Sequence, residues 1–312
     1  QTQPRLAETA KILWKTYLAL TLIEIFALRF AGLSWFDSVC HTFSTVATGG
    51  FSPHNDSVSA FNNVYIESII ILFMFLGGIN FALHFQLVRR NFSVVFKNPE
   101  FRTYCILILA GVLFATWGLT RVSETGDAGQ AFRSAAFTVV SINTTTGFVT
   151  DDFNLWPEYL KLFLVAIMMI GGCSGSTSGS FKVIRIIILL KIIMRELKNL
   201  IYPRAIFHVK VGGKTVDADD LSNVAALTFM FMGFTALGGI MLSGMGVDFT
   251  TALSATVASL FNIGPGLGDV SAMGNYSSIP AMGKGILILF MLLGRLEIYG
   301  VILLFLPMTW RK

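Results

Sequence analysis

Between two long apolar stretches lies a short one, Ala131 to Ile142, that runs into the polar loop Ser141-Ile142-Asn143-Thr144-Thr145-Thr146-Gly147-Phe148-Val149-Thr150. The short stretch holds about 12 residues, whereas a helix needs about 20 to cross a hydrocarbon core. A full-length helix, a half-helix, a glycine-bearing polar loop and another full-length helix form the pattern of a re-entrant segment. Irregular backbone at membrane depth is tolerated only where it is buried in protein or lines water. The loop carries no carboxylate and no histidine before Asp151. It offers backbone carbonyls and threonine hydroxyls, the groups that replace the water shell of a dehydrated monovalent cation.

The same unit occurs on both sides. Upstream, Trp35 to Phe43 leads into Ser44-Thr45-Val46-Ala47-Thr48-Gly49-Gly50-Phe51. Downstream, Phe249 to Ala258 leads into Ser259-Leu260-Phe261-Asn262-Ile263-Gly264-Pro265-Gly266. Three copies in one chain make a repeat. Each loop alone is a weak signal, since Thr-Thr-Gly is common in ordinary turns. A pore needs such loops around an axis, so three copies imply a fourth that is missing or supplied from elsewhere.

Composition supports a membrane reading. Hydrophobic residues make up 54% and charged residues 13%, about half the charged share of a soluble domain. The expected fold is an all-α polytopic membrane protein of helix–pore-loop–helix units. Cys40, Cys105 and Cys173 are scattered through apolar segments with neither metal spacing nor a disulfide framework. No cleavable signal peptide is evident, and the polar, abrupt start at Gln1 to Lys11 suggests a chain that begins mid-protein.

In chain order, full spans are expected at Leu13 to Phe30, Val64 to Val88, Thr103 to Thr120, Leu221 to Leu242 and Gly285 to Met308. Glu24 sits inside the first and is expected to face the bundle, hydrogen-bonded. From Pro157 to Arg195 the apolar pattern is interrupted by Gly171-Gly172-Cys173-Ser174-Gly175-Ser176-Thr177-Ser178-Gly179-Ser180. Gly and Ser make poor helix, and a broken helix near the midplane lines a cavity. Close helix packing through Gly171, Gly175 and Gly179 would be the plainer role. Ten consecutive small polar residues exceed that need, and a flexible constriction is expected. The segment lacks Gly-Lys-Ser/Thr, which rules out a phosphate loop.

Basic residues gather at the N-terminus, at Arg89 to Arg102, at Lys182 to Lys214 and at Arg311-Lys312. The loop side collects Asp37, Asp56, Glu124, Asp127, Asp151, Asp152, Glu158, Asp248 and Asp269. The connectors are therefore cytoplasmic, and an acidic outer mouth concentrates cations. Arg295 lies mid-span, where a charge is costly unless paired or wet. It is expected to donate to carbonyls or hydroxyls of the Gly/Ser loop. A structural pair with an acid such as Glu67 is the alternative. An intramembrane hydrolase with Ser174 as nucleophile and His84 as base is a second class of function. It leaves the three loops unexplained and lacks Gly-x-Ser-x-Gly.

Taken together, Ala47 to Ser52, Thr144 to Phe148, Asn262 to Gly268, Gly171 to Thr177, Lys182 to Arg185 and Gly294 to Glu297 resemble the Trk/Ktr/HKT superfamily of potassium transporters. The likeness is strongest to its bacterial Trk-type membrane subunit, and it runs over essentially the whole chain. The resemblance implies four helix–loop–helix repeats around one pore, of which the second (1–100), third (101–202) and fourth (203–312) are present here. It implies potassium uptake across a bacterial inner membrane, with K+ held at Ala47, Thr48, Gly49 and Gly50, at Thr145, Thr146 and Gly147, and at Asn262, Ile263 and Gly264. The register of the last loop is open by one or two residues. A gate is implied at Gly171, Gly172, Ser174, Gly175, Ser176 and Gly179, with Arg295 helping to block the pore. A homodimer and a cytoplasmic nucleotide-binding regulatory subunit are implied as partners, besides membrane lipid, and nucleic acid is not. The irregular loops imply few ion sites and moderate discrimination against sodium. Arg195 to Lys214 is the expected docking surface for the cytoplasmic partner.

Overall fold

The computed structural model describes residues 3–122, 127–205 and 207–305, with side chains from residue 10 to residue 304. Glu124 of the expected acidic set, the start at Gln1, the end of the last span at Met308 and the closing Trp310-Arg311-Lys312 lie outside the described residues.

The chain folds almost entirely into helices: α1 (Gln3–Phe30), α2 (Trp35–Val46), α3 (Val64–Gly77), α4 (Phe81–Val88), α5 (Phe92–Lys97), α6 (Pro99–Val122), α7 (Ala128–Asn143), α8 (Glu158–Met168), α9 (Val183–Ile201), α10 (Ala218–Gly244), α11 (Phe249–Leu260), α12 (Ala281–Arg295) and α13 (Tyr299–Phe305). Two short strands, β1 (Lys210–Val211) and β2 (Lys214–Thr215), form a small antiparallel hairpin before α10. The half-helices are α2, α7 and α11. Each starts at a side-chain cap. The Ser34 hydroxyl accepts from Asp37 N–H at 3.0 Å, Asp127 from Gly129 N–H at 2.9 Å, and Asp248 from Thr250 N–H at 3.0 Å. Such caps satisfy orphan N–H groups at a helix start. Asp127 and Asp248 in the acidic outer set thus have a structural task of their own.

Among the described residues, α6 and α10 are long and apolar enough to cross a bilayer. A third span is obtained only if α3 and α4 count as one, and they meet at 103°. Their bend corrects the expectation of a continuous helix from Val64 to Val88. Gly77 and Gly78 favour helix poorly, and Asn80 restarts the chain as a cap, accepting from Ala82 N–H at 2.8 Å. The last span is also interrupted. α12 stops at Arg295, and Glu297 takes a left-handed conformation (φ 53°) before α13 begins. Glu297 is drawn out of the helical path into an ion pair with Arg185 of α9, at 2.7 Å.

The core lies behind the half-helices. Phe137, Val139, Val140 and Ile142 of α7 are buried together with Leu160, Leu164 and Met168 of α8 and Ile70 and Met74 of α3. The second half of α7, Phe137 to Asn143, is buried on every side, while its first turns carry the exposed Gln130 and Phe132 and the half-buried Arg133. Large apolar side chains point outward instead along α10, where Phe229 is 80% and Ile240 71% exposed, as a hydrocarbon solvent allows. Glu24 departs from expectation. It is fully buried, yet neither carboxylate oxygen has a hydrogen-bond partner among the described residues. The Thr45 hydroxyl on neighbouring α2 spends its proton on His41 O, at 2.7 Å. Glu67 is not a partner of Arg295, because its two oxygens grip Arg133 of α7 at 2.5 and 2.6 Å.

Candidate ion pathway

The three half-helices end in one and the same way. In the first, Thr48 N–H donates to Thr45 O (3.0 Å) and Gly49 N–H to Ser44 O (2.7 Å). In the second, Thr145 donates to Ile142 O (3.0 Å) and Thr146 to Ser141 O (2.9 Å). In the third, Asn262 donates to Ser259 O (3.2 Å) and Ile263 to Ala258 O (2.8 Å). This is the Schellman pair of bonds, which requires a left-handed residue just past the helix. Glycine usually supplies it. Here Thr48 (φ 52°), Thr145 (φ 58°) and Asn262 (φ 57°) do so. Two residues further on, Gly50, Gly147 and Gly264 also have positive φ. The register of the last loop follows, with Asn262-Ile263-Gly264 matching Thr145-Thr146-Gly147 and Thr48-Gly49-Gly50.

The loops interlock in sequence. A Cβ on Gly50 would press into the carbonyl oxygen of Thr146, and one on Gly147 into that of Ile263. Each glycine therefore lets its loop approach the backbone of the next. Gly264 faces open space. The C-terminal ends of α2, α7 and α11 converge on these loops, and each helix brings a partial negative charge to its end. A polar cavity of about 360 Å³ lies on one side, lined by Gly50, Gly147 and Gly264 among others. A second, of about 240 Å³, lies under the loops, lined by Thr177, Ser178, Gly179 and Arg295. Converging carbonyls and negative helix ends between two polar cavities can hold a dehydrated cation.

The outer rim is braced by ring contacts. His41 is fully buried in α2. Its Nδ1 donates to Asp37 O at 2.8 Å, which leaves Nε2 as acceptor for the Ser52 hydroxyl at 3.0 Å. The imidazole also stacks 5.7 Å from Phe148 of the second loop. Asp37 takes the Ser34 hydroxyl at 2.7 Å and His54 Nε2 at 3.0 Å. The Ser34 bond first, then His54, holds its carboxyl below the usual range. In the third loop the Tyr276 hydroxyl donates to Gly264 O at 2.6 Å, and burial pushes that hydroxyl up to about 12.

Beneath lies the segment between α8 and α9, residues 169–182, bound into the bend between α3 and α4. Cys173 N–H donates to Gly78 O (2.8 Å), and Phe81 N–H returns a bond to Gly175 O (3.1 Å). The Thr177 hydroxyl donates to Val46 O at 2.8 Å. Two of the left-handed residues also bond the segment: Thr48 Oγ1 donates to Thr177 O at 2.9 Å, and Gly179 N–H donates to Thr145 Oγ1 at 2.7 Å. Arg295 Nη1 donates to that same Thr177 carbonyl at 3.2 Å. The Lys182 ammonium bonds Ser178 O. With its amide oriented to satisfy both ends, Asn262 accepts from Arg295 N–H and donates to Met291 O, each at 3.2 Å.

The model of the TrkH family, described as a cation transport protein, matches residues 1–312. The chain belongs to the TrkH family. It is 44% identical over 313 residues to the Trk system potassium uptake protein TrkH of Halomonas elongata, and 39% identical over 311 residues to that of Escherichia coli. Each match covers 99% of this chain and 64% of the relative. The crystal structure of the potassium transporter TrkH from Vibrio parahaemolyticus superimposes with a TM-score of 0.92 at 38% identity, over 99% of this chain and 66% of that one. The chain thus spans just under two thirds of the length of these relatives.

Within this TrkH-family fold, Ala47, Thr48, Gly49, Gly50, Thr145, Thr146, Gly147, Asn262, Ile263 and Gly264 come together at the interlocked loops. Gly171, Gly172, Ser176 and Gly179 lie in the segment beneath, along with the exposed Ser174 and Gly175. The hydrolase pairing is not assembled. His84 Nε2 donates to Leu76 O at 2.9 Å, and among the described residues no hydrogen bond joins it to Ser174. Sequence reasoning missed Thr177, whose hydroxyl and carbonyl knit the segment to the first loop. It also missed Glu100, which accepts from Ser174 N–H at 2.6 Å. The doublet Gly77-Gly78 followed by Asn80, a break and then a cap, was the available signal for the bend that receives the segment.

Proposed function

We propose that this chain builds most of the wall of a potassium pathway through a bacterial inner membrane, with K+ as the transported ion. Support comes first from the interlocked loops, three copies of one strained backbone geometry whose carbonyls and helix ends meet between two polar cavities. The names of the relatives, potassium uptake proteins of the Trk system, agree with that chemistry. The open side beside Gly264 is where a fourth helix–loop–helix unit would close the ring, with residues 1–100, 101–202 and 203–312 as the other three. The segment from Gly171 to Ser180, latched by Arg295 on Thr177 O, is the gate. A homodimer regulated by a cytoplasmic nucleotide-binding subunit is the assembly, and the Arg195 to Lys214 connector is the docking surface. Deleting Pro203 to Gly213 tests that docking, and unchanged partner binding would refute it.

The function itself is tested by rubidium uptake into potassium-loaded liposomes that carry the full-length protein, with sodium as competitor. Flux that discriminates against sodium and fades in Gly147→Ser is expected. Flux with no discrimination, or a Gly147→Ser protein that transports normally, overturns the assignment.

A further inference from the structure

The end of α9 carries Lys191, Arg195 and Lys198 at positions i, i+4 and i+7, which places them on one helix face. The segment entering β1 folds back against that face with Phe207, His208 and Lys210. Between them lies a cavity of about 270 Å³. This is just below the roughly 300–1,000 Å³ of pockets that enclose a whole drug-sized molecule, and enough for a headgroup. Among the described residues, no acidic side chain lines it. Glu196, the acid nearest in sequence, pairs with Arg195 at 2.7 and 2.9 Å, so Lys191, Lys198 and Lys210 carry the cleft's net positive charge. The Lys191 ammonium bonds Lys210 O, and Lys198 Nζ lies 5.9 Å over the Phe207 ring. Two further contacts thus fold cationic side chains over the cavity.

The adjoining face of the same helix is apolar and uncovered. Leu190 is 58%, Leu197 50% and Leu200 78% exposed, in line with Ile193, Met194 and Ile201. A cationic cleft beside an apolar stripe, at the end of the helix that resumes the interrupted apolar run and on the side its basic residues assign to the cytoplasm, matches both halves of an anionic lipid. A soluble acidic partner would satisfy the cations and leave the stripe in water. Basic pockets at this depth on the cytoplasmic side are sites where anionic headgroups collect.

We propose that this cavity binds the phosphodiester headgroup of an anionic phospholipid of the cytoplasmic leaflet, with the acyl chains along Leu190, Met194 and Leu197. The inference uses the membrane placement above but not ion conduction. Lipid binding is therefore read without flux.

The test is native mass spectrometry of the full-length protein in detergent, titrated with phosphatidylglycerol or phosphatidylcholine. Lys198→Gln with Lys210→Gln removes two exposed cations without touching the core. Lys11→Gln with Lys15→Gln removes the same charge elsewhere. Phosphatidylglycerol is expected to bind more tightly than phosphatidylcholine. The cavity variant should lose about five-fold per lysine, about 25-fold in all, and the control variant should lose none. Equal binding of the two lipids, equal loss in both variants, or displacement of the lipid by inorganic phosphate would each overturn the proposal. So would a cavity variant that keeps its lipid.

Discussion

Replacing Gly147 with alanine isolates the feature on which the proposed ion pathway depends. Gly147 has φ +84°, and a Cβ there would press into Ile263 O, 3.0 Å from Pro265 Cδ and 3.3 Å from the Ile263 carbonyl carbon. A left-handed conformation costs an L-residue about 1–2 kcal/mol. Overpacking against backbone that cannot rotate away adds about 1–3 kcal/mol. The sum, about 2–5 kcal/mol, is relieved only by moving the third loop, whose Ile263 carbonyl belongs to the proposed ion site. At 1.4 kcal/mol per decade, rubidium uptake should fall between about 30-fold and several thousand-fold. Gly246→Ala separates conformation from contact. Gly246 has φ +88°, but nothing lies within 4 Å of its added Cβ. It should cost about 1–2 kcal/mol of stability and leave flux and sodium discrimination near wild type. The assay is uptake into liposomes, normalised to folded protein by size-exclusion chromatography. The reasoning is refuted if Gly147→Ala transports normally, or if Gly246→Ala loses as much flux.

Three further outcomes follow from the contacts around the loops. Arg295→Gln removes the Nη1 bond to Thr177 O and the charge below the ion site, so uptake without the regulatory subunit should rise several-fold; unchanged or lower uptake counts against a latch. Glu100→Ala removes a charge-assisted bond to Ser174 N–H of about 1.5–3 kcal/mol, so amides of residues 171–180 should exchange at least ten-fold faster, with Glu100→Gln restoring much of the protection. The Asp37 carboxyl is held low by Ser34 and then His54, so its contribution to stability is present above the unfolded value of about 3.9 and is lost as pH falls through the lowered folded value. Ser34→Ala should shift the onset of acid unfolding, followed by thermal melts, to higher pH, and an unmoved onset would remove Asp37 from the account.

Much of this fold is legible in the sequence because a bilayer imposes lengths. A dozen apolar residues followed by Thr-Thr-Gly cannot be a span, and three such units name their own repeat. Interruptions within the long apolar runs are far less legible. Val64 to Val88 reads as one helix because hydropathy ignores Gly77-Gly78. The bend of 103° becomes intelligible only with a partner that takes the freed backbone groups, and that partner, Cys173 to Thr177, lies about a hundred residues away. Glu297 likewise leaves its helix for Arg185, a choice made by tertiary pairing rather than local propensity. Glu24, which the sequence places facing the bundle, is buried there, but its carboxylate has no hydrogen-bond partner among the described residues.

The choice of residue at the turn of each loop carries the same lesson into function. Glycine would make the Schellman turn without strain, and a β-branched residue at positive φ is an outlier. Yet threonine occupies positions 48 and 145. The bonds beneath explain the choice. Thr48 Oγ1 donates to Thr177 O, and Thr145 Oγ1 accepts from Gly179 N–H, two contacts that glycine cannot make. Strain of about 1–3 kcal/mol persists only where the surroundings over-determine it, and here a hydroxyl ties each turn to the segment below. The hydroxyls at the base of the loops are therefore the ones that hold the segment below, the proposed gate. On the proposed pathway, an ion that draws on Thr145 Oγ1 shares that oxygen with Gly179 N–H, whereas one on Thr48 Oγ1 polarises the hydroxyl that donates to Thr177 O, so in both cases occupancy of the loops would act on the segment below. Asn262 breaks the pattern in keeping with this logic: its amide turns toward Arg295 N–H and Met291 O on α12, the helix whose last residue, Arg295, is the proposed latch.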